Sequence, residues 1–463
     1  MTLKRFFPFV SIVLFSCMLS AAPPNLILIL ADDLGYGDLG VTGSKQIPTP
    51  HIDSLAASGV RFTNAYVSSC VCAPSRAGLM TGKHQASFGF RDNLAPVQPG
   101  HDPEFVGLPL NQTTLAQSLK PLGYTTGLIG KWHLGELPKF SPLQRGFDEF
   151  WGYLGGAHDY FKAEAGGEKT MAGPLVCNYK QPAPLTYLTD DEGDECVDFI
   201  RRHKDRPFFL YASFAAPHTP MQATEEDLKR FAQIEDKVRR TYCAMVYRLD
   251  QNVGKILDEV RTLGIERDTF VVFLSDNGGP SAPGMSNGSV NAPLRGGKTT
   301  VLEGGIRVPM FFKWPASLPL GVAKNEMVSS LDILPTFLAV AGSAISPSEK
   351  LTGVNLLPLL NGKREQPPHQ SLMWTYTVGC AIRTGDWKLI RLPDRLPMLY
   401  HLSADPGEKY DLALEQIERT RAMLGELGRW EVTSPNPVFR EPGDWRIRHL
   451  KYYDSEFPMK QPE

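Results

Sequence analysis

Four stretches of the chain are apolar at nearly every position and then stop abruptly at polar or ionisable residues. Asn25-Leu26-Ile27-Leu28-Ile29-Leu30 runs into Ala31-Asp32-Asp33, and Gly127-Leu128-Ile129 leads into Gly130-Lys131-Trp132-His133. Pro207 to Phe214 ends in Ala215-Ala216-Pro217-His218, and Phe270-Val271-Val272-Phe273-Leu274 ends in Ser275-Asp276-Asn277-Gly278-Gly279. A run without polar alternation suits a strand covered on both faces, as strands of a parallel sheet are. Helical spacing predicts short helices over Asp53 to Ser58 and Thr114 to Leu122. It also predicts a long helix from about Glu225 to Leu263, with Met245, Leu249, Val253, Ile256 and Val260 at helical intervals. Strands alternating with helices predict an α/β fold, a large and mostly parallel sheet flanked by helices. Ligands of such sheets bind beyond the carboxyl ends of the strands. The four polar ends are therefore expected to gather at one edge.

The pattern changes near residue 365. Gln366-Pro367-Pro368-His369 reads as a linker, and short strand candidates follow at Leu372 to Tyr376, Cys380 to Thr384, Trp387 to Leu392 and Leu399 to Leu402. Thr384-Gly385-Asp386 reads as a hairpin turn, and a helix is expected around Glu415 to Trp430. This predicts a small C-terminal antiparallel sheet with one helix. At the other end, Lys4 and Arg5 precede the apolar run Phe6 to Leu19 and the small residues Ser20-Ala21-Ala22, the order of a secretory signal peptide. The run falls short of the roughly 20 apolar residues of a spanning helix. The expected division is a signal peptide over 1–22, a catalytic domain over 23–365 and a C-terminal subdomain over 366–463. Export to a periplasm or to the exterior is expected, without a stable membrane span. Lipid anchoring at Cys17 is the weaker alternative, because Phe15 fits a lipoprotein box poorly.

Composition narrows the class only a little. Of 463 residues, 42% are hydrophobic and 21% charged, as in ordinary soluble domains. A formal net charge of −2, from 48 basic and 50 acidic side chains, lacks the basic excess of nucleic-acid binders. The cysteines beyond Cys17 are too scattered for a cystine framework. Cys70 and Cys72 are too close for a structural bridge, although a disulfide between them could compete with any chemistry at Cys72.

Asp32, Asp33, Asp276 and Asn277 offer three carboxylates and an amide oxygen, hard ligands that suit calcium, or magnesium, better than zinc. Adjacent aspartates inside a strand would point to opposite faces, so the pair must sit where strand gives way to loop. Each pair alone reads equally well as a turn. The segment Cys72-Ala73-Pro74-Ser75-Arg76, continuing to Gly82-Lys83, resembles the signature of formylglycine-dependent sulfatases of the alkaline phosphatase superfamily. Ala31 to Asp38 resembles their opening metal motif, and Gly130 to Gly135 their second signature. Pro217-His218, Ser275 to Gly279, Arg295-Gly296-Gly297-Lys298 and Glu303-Gly304-Gly305 match in order and approximate spacing. The resemblance runs from about residue 24 to about 412.

It implies that a maturation enzyme reads Cys72, Pro74 and Arg76 and oxidises Cys72 to formylglycine. The hydrated aldehyde would attack sulfur with one hydroxyl and expel sulfate with the other. Calcium, on Asp32, Asp33, residue 72, Asp276 and Asn277, would polarise a sulfate oxygen. Arg76, Lys131 and Lys298 would hold the diol and the sulfate oxygens. His133 is implied as the base and His218 as the acid at the leaving oxygen. Gly146 to Tyr153 and His158-Asp159-Tyr160-Phe161 are similar to sulfatases of galactose or N-acetylgalactosamine sulfates, so a sulfated saccharide is the expected substrate. Arg91, Asp92, Asn93 and His158 are candidate sugar contacts, with Trp151 and Tyr160 as stacking candidates. A phosphate or phosphonate ester hydrolase, a general aryl sulfatase and a non-enzymatic binding module are the alternatives. Asn111-Gln112-Thr113 and Asn287-Gly288-Ser289 fit the glycosylation pattern.

Overall fold

In the computed structural model, which describes residues 23–94, 102–164, 174–178, 184–344 and 349–458, the four all-apolar runs become adjacent, almost wholly buried strands. The expected signal peptide and Cys17 lie outside the described residues. Successive residues of a strand face opposite sides, and here both sides are covered. Leu26, Leu28, Leu30, Val272 and Leu274 enter one core, while Ile27, Ile29, Val271 and Phe273 enter a second. That two-sided burial is why the runs carry no polar alternation.

The nine-stranded sheet has the spatial order Val322–Lys324, Val60–Phe62, Met310–Lys313, Thr269–Ser275, Asn25–Ala31, Phe208–Ser213, Thr125–Lys131, Glu149–Tyr153, Val176–Cys177. From Thr269–Ser275 through Glu149–Tyr153 every pairing is parallel, and antiparallel pairings appear only towards the two edges. Helices Leu188–His203 and Lys237–Thr262 cover one face. Helices Cys72–Thr81 and Ile333–Val340 cover the other.

The long helix expected from Glu225 to Leu263 is two helices, Glu225–Arg230 and Lys237–Thr262. Phe231 turns into the core between them, and Asp236 caps the second by accepting from the backbone of Val238 at 2.8 Å and Arg239 at 3.2 Å. A capped start beats continued helix because it satisfies N–H groups that would otherwise lack partners. The Thr114 to Leu122 helix also tightens, to Leu115–Leu119 with a 3-10 turn over Lys120–Leu122.

The C-terminal strands Ser371–Tyr376, Gly379–Thr384, Trp387–Arg391 and Met398–His401 form an antiparallel sheet in chain order. Gly385, at φ +57°, turns the expected hairpin. Helix Ile417–Glu431 covers one face through Met423 and Leu427. The other face packs Trp374, Ile390 and Tyr400 onto Tyr66, Val301 and Ile306 of the larger unit. Lys388 is wholly buried between Glu303 at 2.9 Å and Glu408 at 2.8 Å, joining sheet to catalytic core. The expected linker is tied down as well, since His369 Nε2 lies 2.8 Å from Asp332. A further helix, Gly443–Glu456, has no counterpart in the sequence pattern read above. No helix among the described residues is long and apolar enough to cross a membrane.

Candidate active site

Register brings the acidic ends together. Ala31 pairs with Ser275, so Asp32 and Asp276 leave the sheet side by side. The Asp276 N–H donates to Ala31 O at 3.0 Å and the Asp33 N–H to Asp276 Oδ1 at 3.2 Å. Asp33 adopts φ +67°, which breaks the strand's alternation and lets two adjacent aspartates serve one site. Lys131 arrives at the end of a strand two along from that of Asp32, where Gly130 sits at φ +103° and a Cβ would lie 2.1 Å from Ser213 O. Only glycine fits there.

Cys72 opens the helix Cys72–Thr81, and its Sγ lies 3.1 Å from Lys298 Nζ and 3.6 Å from Asp32 Oδ1. Lys298 also reaches Asp33 Oδ1 at 2.7 Å. One turn into the helix, Arg76 is fully buried. Its guanidinium holds Asp276 Oδ2 at 2.8–2.9 Å, Asp32 Oδ2 at 3.4 Å, Ser213 Oγ at 2.6 Å and Lys131 O at 3.2 Å. Lys131 Nζ donates to Asp32 Oδ2. Burial alone would raise the Asp32 carboxyl, but Lys131, His218, Arg76 and Lys298 outweigh it and hold it far below the carboxylate range.

Burial pulls the Lys298 ammonium down, and Asp33, Cys72 and Asp32 more than restore it. Burial pushes the Cys72 thiol up to about 12 against the pull of Lys131 and Lys298. Both imidazoles are depressed. Burial, then Lys131 and Arg76, keep His133 well below its ordinary value, and burial takes His218 to about 4 with Asp32 opposing. His218 Nδ1 lies 2.6 Å from Thr219 O, which leaves Nε2 facing Asp33 Oδ2 at 3.6 Å. Tyr160 OH donates to His218 O at 2.8 Å.

Ligand atoms of Asp32, Asp33, Cys72 and His218 all lie within 4.8 Å of one another. Asn277 Nδ2 donates to Asp33 Oδ1 at 2.7 Å, and its Oδ1 is buried without a hydrogen-bond partner among the described residues. A hard divalent cation fits this donor set, because it would satisfy that orphaned oxygen and neutralise crowded carboxylates.

Above this floor lies a cavity of about 260 Å³ whose walls include Cys72, His133, His218, Lys298 and Asn93. Arg76, Lys131, Asp32, Asp276 and Asn277 sit behind the wall. Of the sugar-contact candidates, Asn93 is on the wall and its Oδ1 accepts from the Ala73 N–H at 3.1 Å. Arg91, Asp92 and His158 do not line it. Asp92 is turned to Glu441, and burial together with that neighbour pushes it up to about 6. His158 is buried with its ring on Tyr153, at 5.2 Å between centroids.

Trp151 and Tyr160 are core residues, the latter stacked on Tyr187 at 5.5 Å. Asn287 is buried, with Nδ2 donating to Pro217 O at 3.3 Å, so a glycan there is incompatible with the fold; Asn111 is exposed. Cys70 and Cys72 are unbridged, and Cys70 packs into the core with Tyr66 and Trp374. Ser213 and the wall residues Tyr376, Trp445, Arg448 and His449 carry no local signal as neighbours of the site, and Tyr160, expected to stack on a sugar, instead supports His218 through its carbonyl.

A thiol and two neutral imidazoles over cation-braced carboxylates make a centre for displacement at an anionic ester, and the parallel sheet presents it at the edge where hydrolases of this architecture work. Residues 24–343 match the family model described as Sulfatase, and residues 297–426 match that of the N-sulphoglucosamine sulphohydrolase C-terminal region. The chain belongs to the sulfatase family and is a sulfuric ester hydrolase. N-acetylgalactosamine-6-sulfatase of Homo sapiens is 33% identical over 450 residues, covering 87% of this chain and 84% of that protein. Arylsulfatase A of Homo sapiens is 35% identical over 468 residues, covering 87% and 89%. The crystal structure of Ps i-CgsB in complex with k-i-k-neocarrahexaose superposes with a TM-score of 0.84 at 36% identity, over 94% of this chain and 100% of that one.

Proposed function

We propose that the protein hydrolyses the sulfate ester of a saccharide, a galactose or N-acetylgalactosamine sulfate, through a formylglycine that a maturation enzyme makes from Cys72. The position of Cys72 carries this reading: it opens a helix on the cavity wall with its Sγ 3.1 Å from Lys298 and 3.6 Å from Asp32, while burial favours the protonated form of the thiol. A protonated thiol is a poor nucleophile, so the position suits a different functional group. The formylglycine hydrate would supply both an attacking hydroxyl and a second one for release. A calcium ion on Asp32, Asp33, residue 72, Asp276 and Asn277, or magnesium in its place, would act as Lewis acid towards a sulfate oxygen.

The chain's own residues divide the remaining work. Lys298 faces the cavity and holds the atom at position 72. Arg76 and Lys131 lie behind the carboxylates and fix Asp32 and Asp276, so their part is positioning rather than contact with sulfate. His133, with Nδ1 buried and unpartnered among the described residues, offers a lone pair to take a proton. His218 faces the leaving oxygen. The negative charge of a bound ester counters its burial and lifts it towards the imidazolium that protonates an alcohol.

The relatives favour a galactose-type sugar, since one is an N-acetylgalactosamine-6-sulfatase and another structure holds neocarrahexaose. Export with loss of residues 1–22, and division into a catalytic domain over 23–365 and a subdomain over 366–463, belong to the same proposal.

The test is inorganic sulfate release from sulfated galactose, N-acetylgalactosamine and glucosamine saccharides, with an aryl sulfate and the matching phosphate esters alongside. Protein shown by peptide mass to carry the aldehyde is expected to release sulfate from a galactose-type sugar. Cys72→Ala is expected to abolish it, and a chelator to suppress it until calcium is returned. Faster cleavage of the phosphate esters would replace this reading with the phosphoester one.

A further inference from the structure

One wall of the catalytic cavity comes from the far end of the chain. Trp445, Arg448 and His449, on helix Gly443–Glu456, line it together with Tyr376 of the small sheet. Buried contacts seat the helix firmly. The Val301 N–H donates to Tyr453 OH at 2.7 Å, and Tyr452 OH shares a hydrogen bond with Ser281 Oγ at 2.7 Å. The His449 ring lies 5.1 Å from that of Tyr376, and its Nδ1 is 3.1 Å from Glu441 Oε1. Glu441 accepts from Tyr376 OH at 2.7 Å, and its N–H donates to Asp92 at 3.2 Å. Asp92 adjoins Asn93, which holds the Ala73 N–H beside Cys72. The wall is thus a fixed part of the site.

Its charge is differently employed from that of the floor. Arg76, Lys131 and Lys298 are each bound to Asp32, Asp33 or Asp276. The side chain of Arg448 is 59% exposed, and its ion-pair partner among the described residues is Asp444 at 3.1 Å, itself 60% exposed. Exposed i,i+4 pairs are weak, so the guanidinium is open to a better partner. Half-buried Trp445 stands one turn away on the same wall and offers an apolar ring face.

We propose that this wall is a subsite for a second anionic group on the substrate. Arg448 pairs with a sulfate or carboxylate on the sugar beside the one that loses its sulfate, and Trp445 packs against that sugar's ring. The assignment rests on the saccharide-sulfatase reading and deepens it: the preferred substrate is a polyanionic saccharide rather than a singly charged ester.

The experiment uses three disaccharides that share one cleavable galactose sulfate and carry a sulfate, a carboxylate or a hydroxyl on the neighbouring sugar. Aldehyde-bearing wild type is expected to prefer an anionic disaccharide, and the two anionic arms tell sulfate from carboxylate. Arg448→Gln is expected to cut that preference roughly five- to tenfold, through KM rather than kcat, as loss of one charge-assisted contact at a wet rim would. Arg448→Lys is expected to recover part of it, which a merely structural role would not produce. Calorimetric binding of the same disaccharides to Cys72→Ala, with and without Arg448→Gln, reads the subsite without turnover. Sulfate release with the same preference in wild type and Arg448→Gln overturns the subsite and leaves the sulfatase reading standing. No release from any disaccharide, with an Arg448-dependent anionic preference in binding, does the reverse. Absence of any anionic preference, both in turnover by the wild type and in binding to Cys72→Ala, overturns the subsite outright.

Discussion

Asp32, Asp276 and Lys298 announce themselves in sequence because chemistry demands those side chains beside short-range signals such as strand ends and glycines. Arg76 shows the limit of that legibility. Its spacing from Cys72 is visible, but its direction is not, and the fold turns it away from the cavity to brace Asp276 and Asp32. His158, Trp151 and Tyr160 mislead for the same reason, since burial depends on neighbours distant in the chain. Tyr160 contributes indirectly, through its hydrogen bond to the His218 carbonyl. Tyr160→Phe is expected to lower kcat a few-fold with KM nearly constant, in line with roughly 0.5–1.5 kcal/mol for one hydrogen bond; steady-state kinetics on any accepted ester checks it. His369 gives a pH prediction away from the site. Burial disfavours its charge, but Asp332 at 2.8 Å outweighs burial and raises it above the ordinary value. A raised histidine contributes stability fully below its unfolded value, and loses it as pH rises through the folded one. His369→Gln is therefore expected to destabilise by about 1 kcal/mol at pH 5.5, less at pH 8.5, read from urea unfolding at the two pH values.

Secondary-structure elements follow the apolar pattern wherever an element is buried on a simple face, and depart from it where a capping contact intervenes. The central strands are legible as all-apolar runs, because both faces of the sheet are covered. Helical periodicity persists across residues 225–263, yet the Asp236 cap and the inward turn of Phe231 divide it. Asp236→Ala is expected to cost about 1 kcal/mol and to speed amide exchange in the first turn of Lys237–Thr262, which hydrogen-exchange mass spectrometry resolves. Gly278 marks another element-level constraint, since a Cβ there would lie 1.7 Å from Gly304 O. Gly278→Ala is expected to displace the Asp276-Asn277 corner and to remove sulfate-ester hydrolysis more than it lowers the melting temperature; paired activity and thermal-shift measurements separate the two.

Across the whole molecule, the C-terminal sheet is legible as hairpins but its attachment is not, because the attachment consists of long-range pairs. Lys388 between Glu303 and Glu408 is the buried link, with burial and Glu303 pushing Glu408 up to about 7 against the pull of Lys388. Removing one partner of a buried charge group leaves the others uncompensated, a loss of roughly 3–5 kcal/mol. Lys388→Met is expected to loosen the small sheet and expose it to limited proteolysis before the large sheet yields. Helix Gly443–Glu456 escaped the sequence reading because its apolar positions are interleaved with charges, and because nothing local points it at Cys72. The burial of Cys72-Ala73-Pro74-Ser75-Arg76 reaches into the protein's history. A maturation enzyme cannot grip five residues that lie inside a finished core, so the proposed oxidation must precede closure of the fold around that helix. On that proposal synthesis would be a race between two clocks, and a chain that folded before it was modified would be left an inert, well-shaped thiol protein.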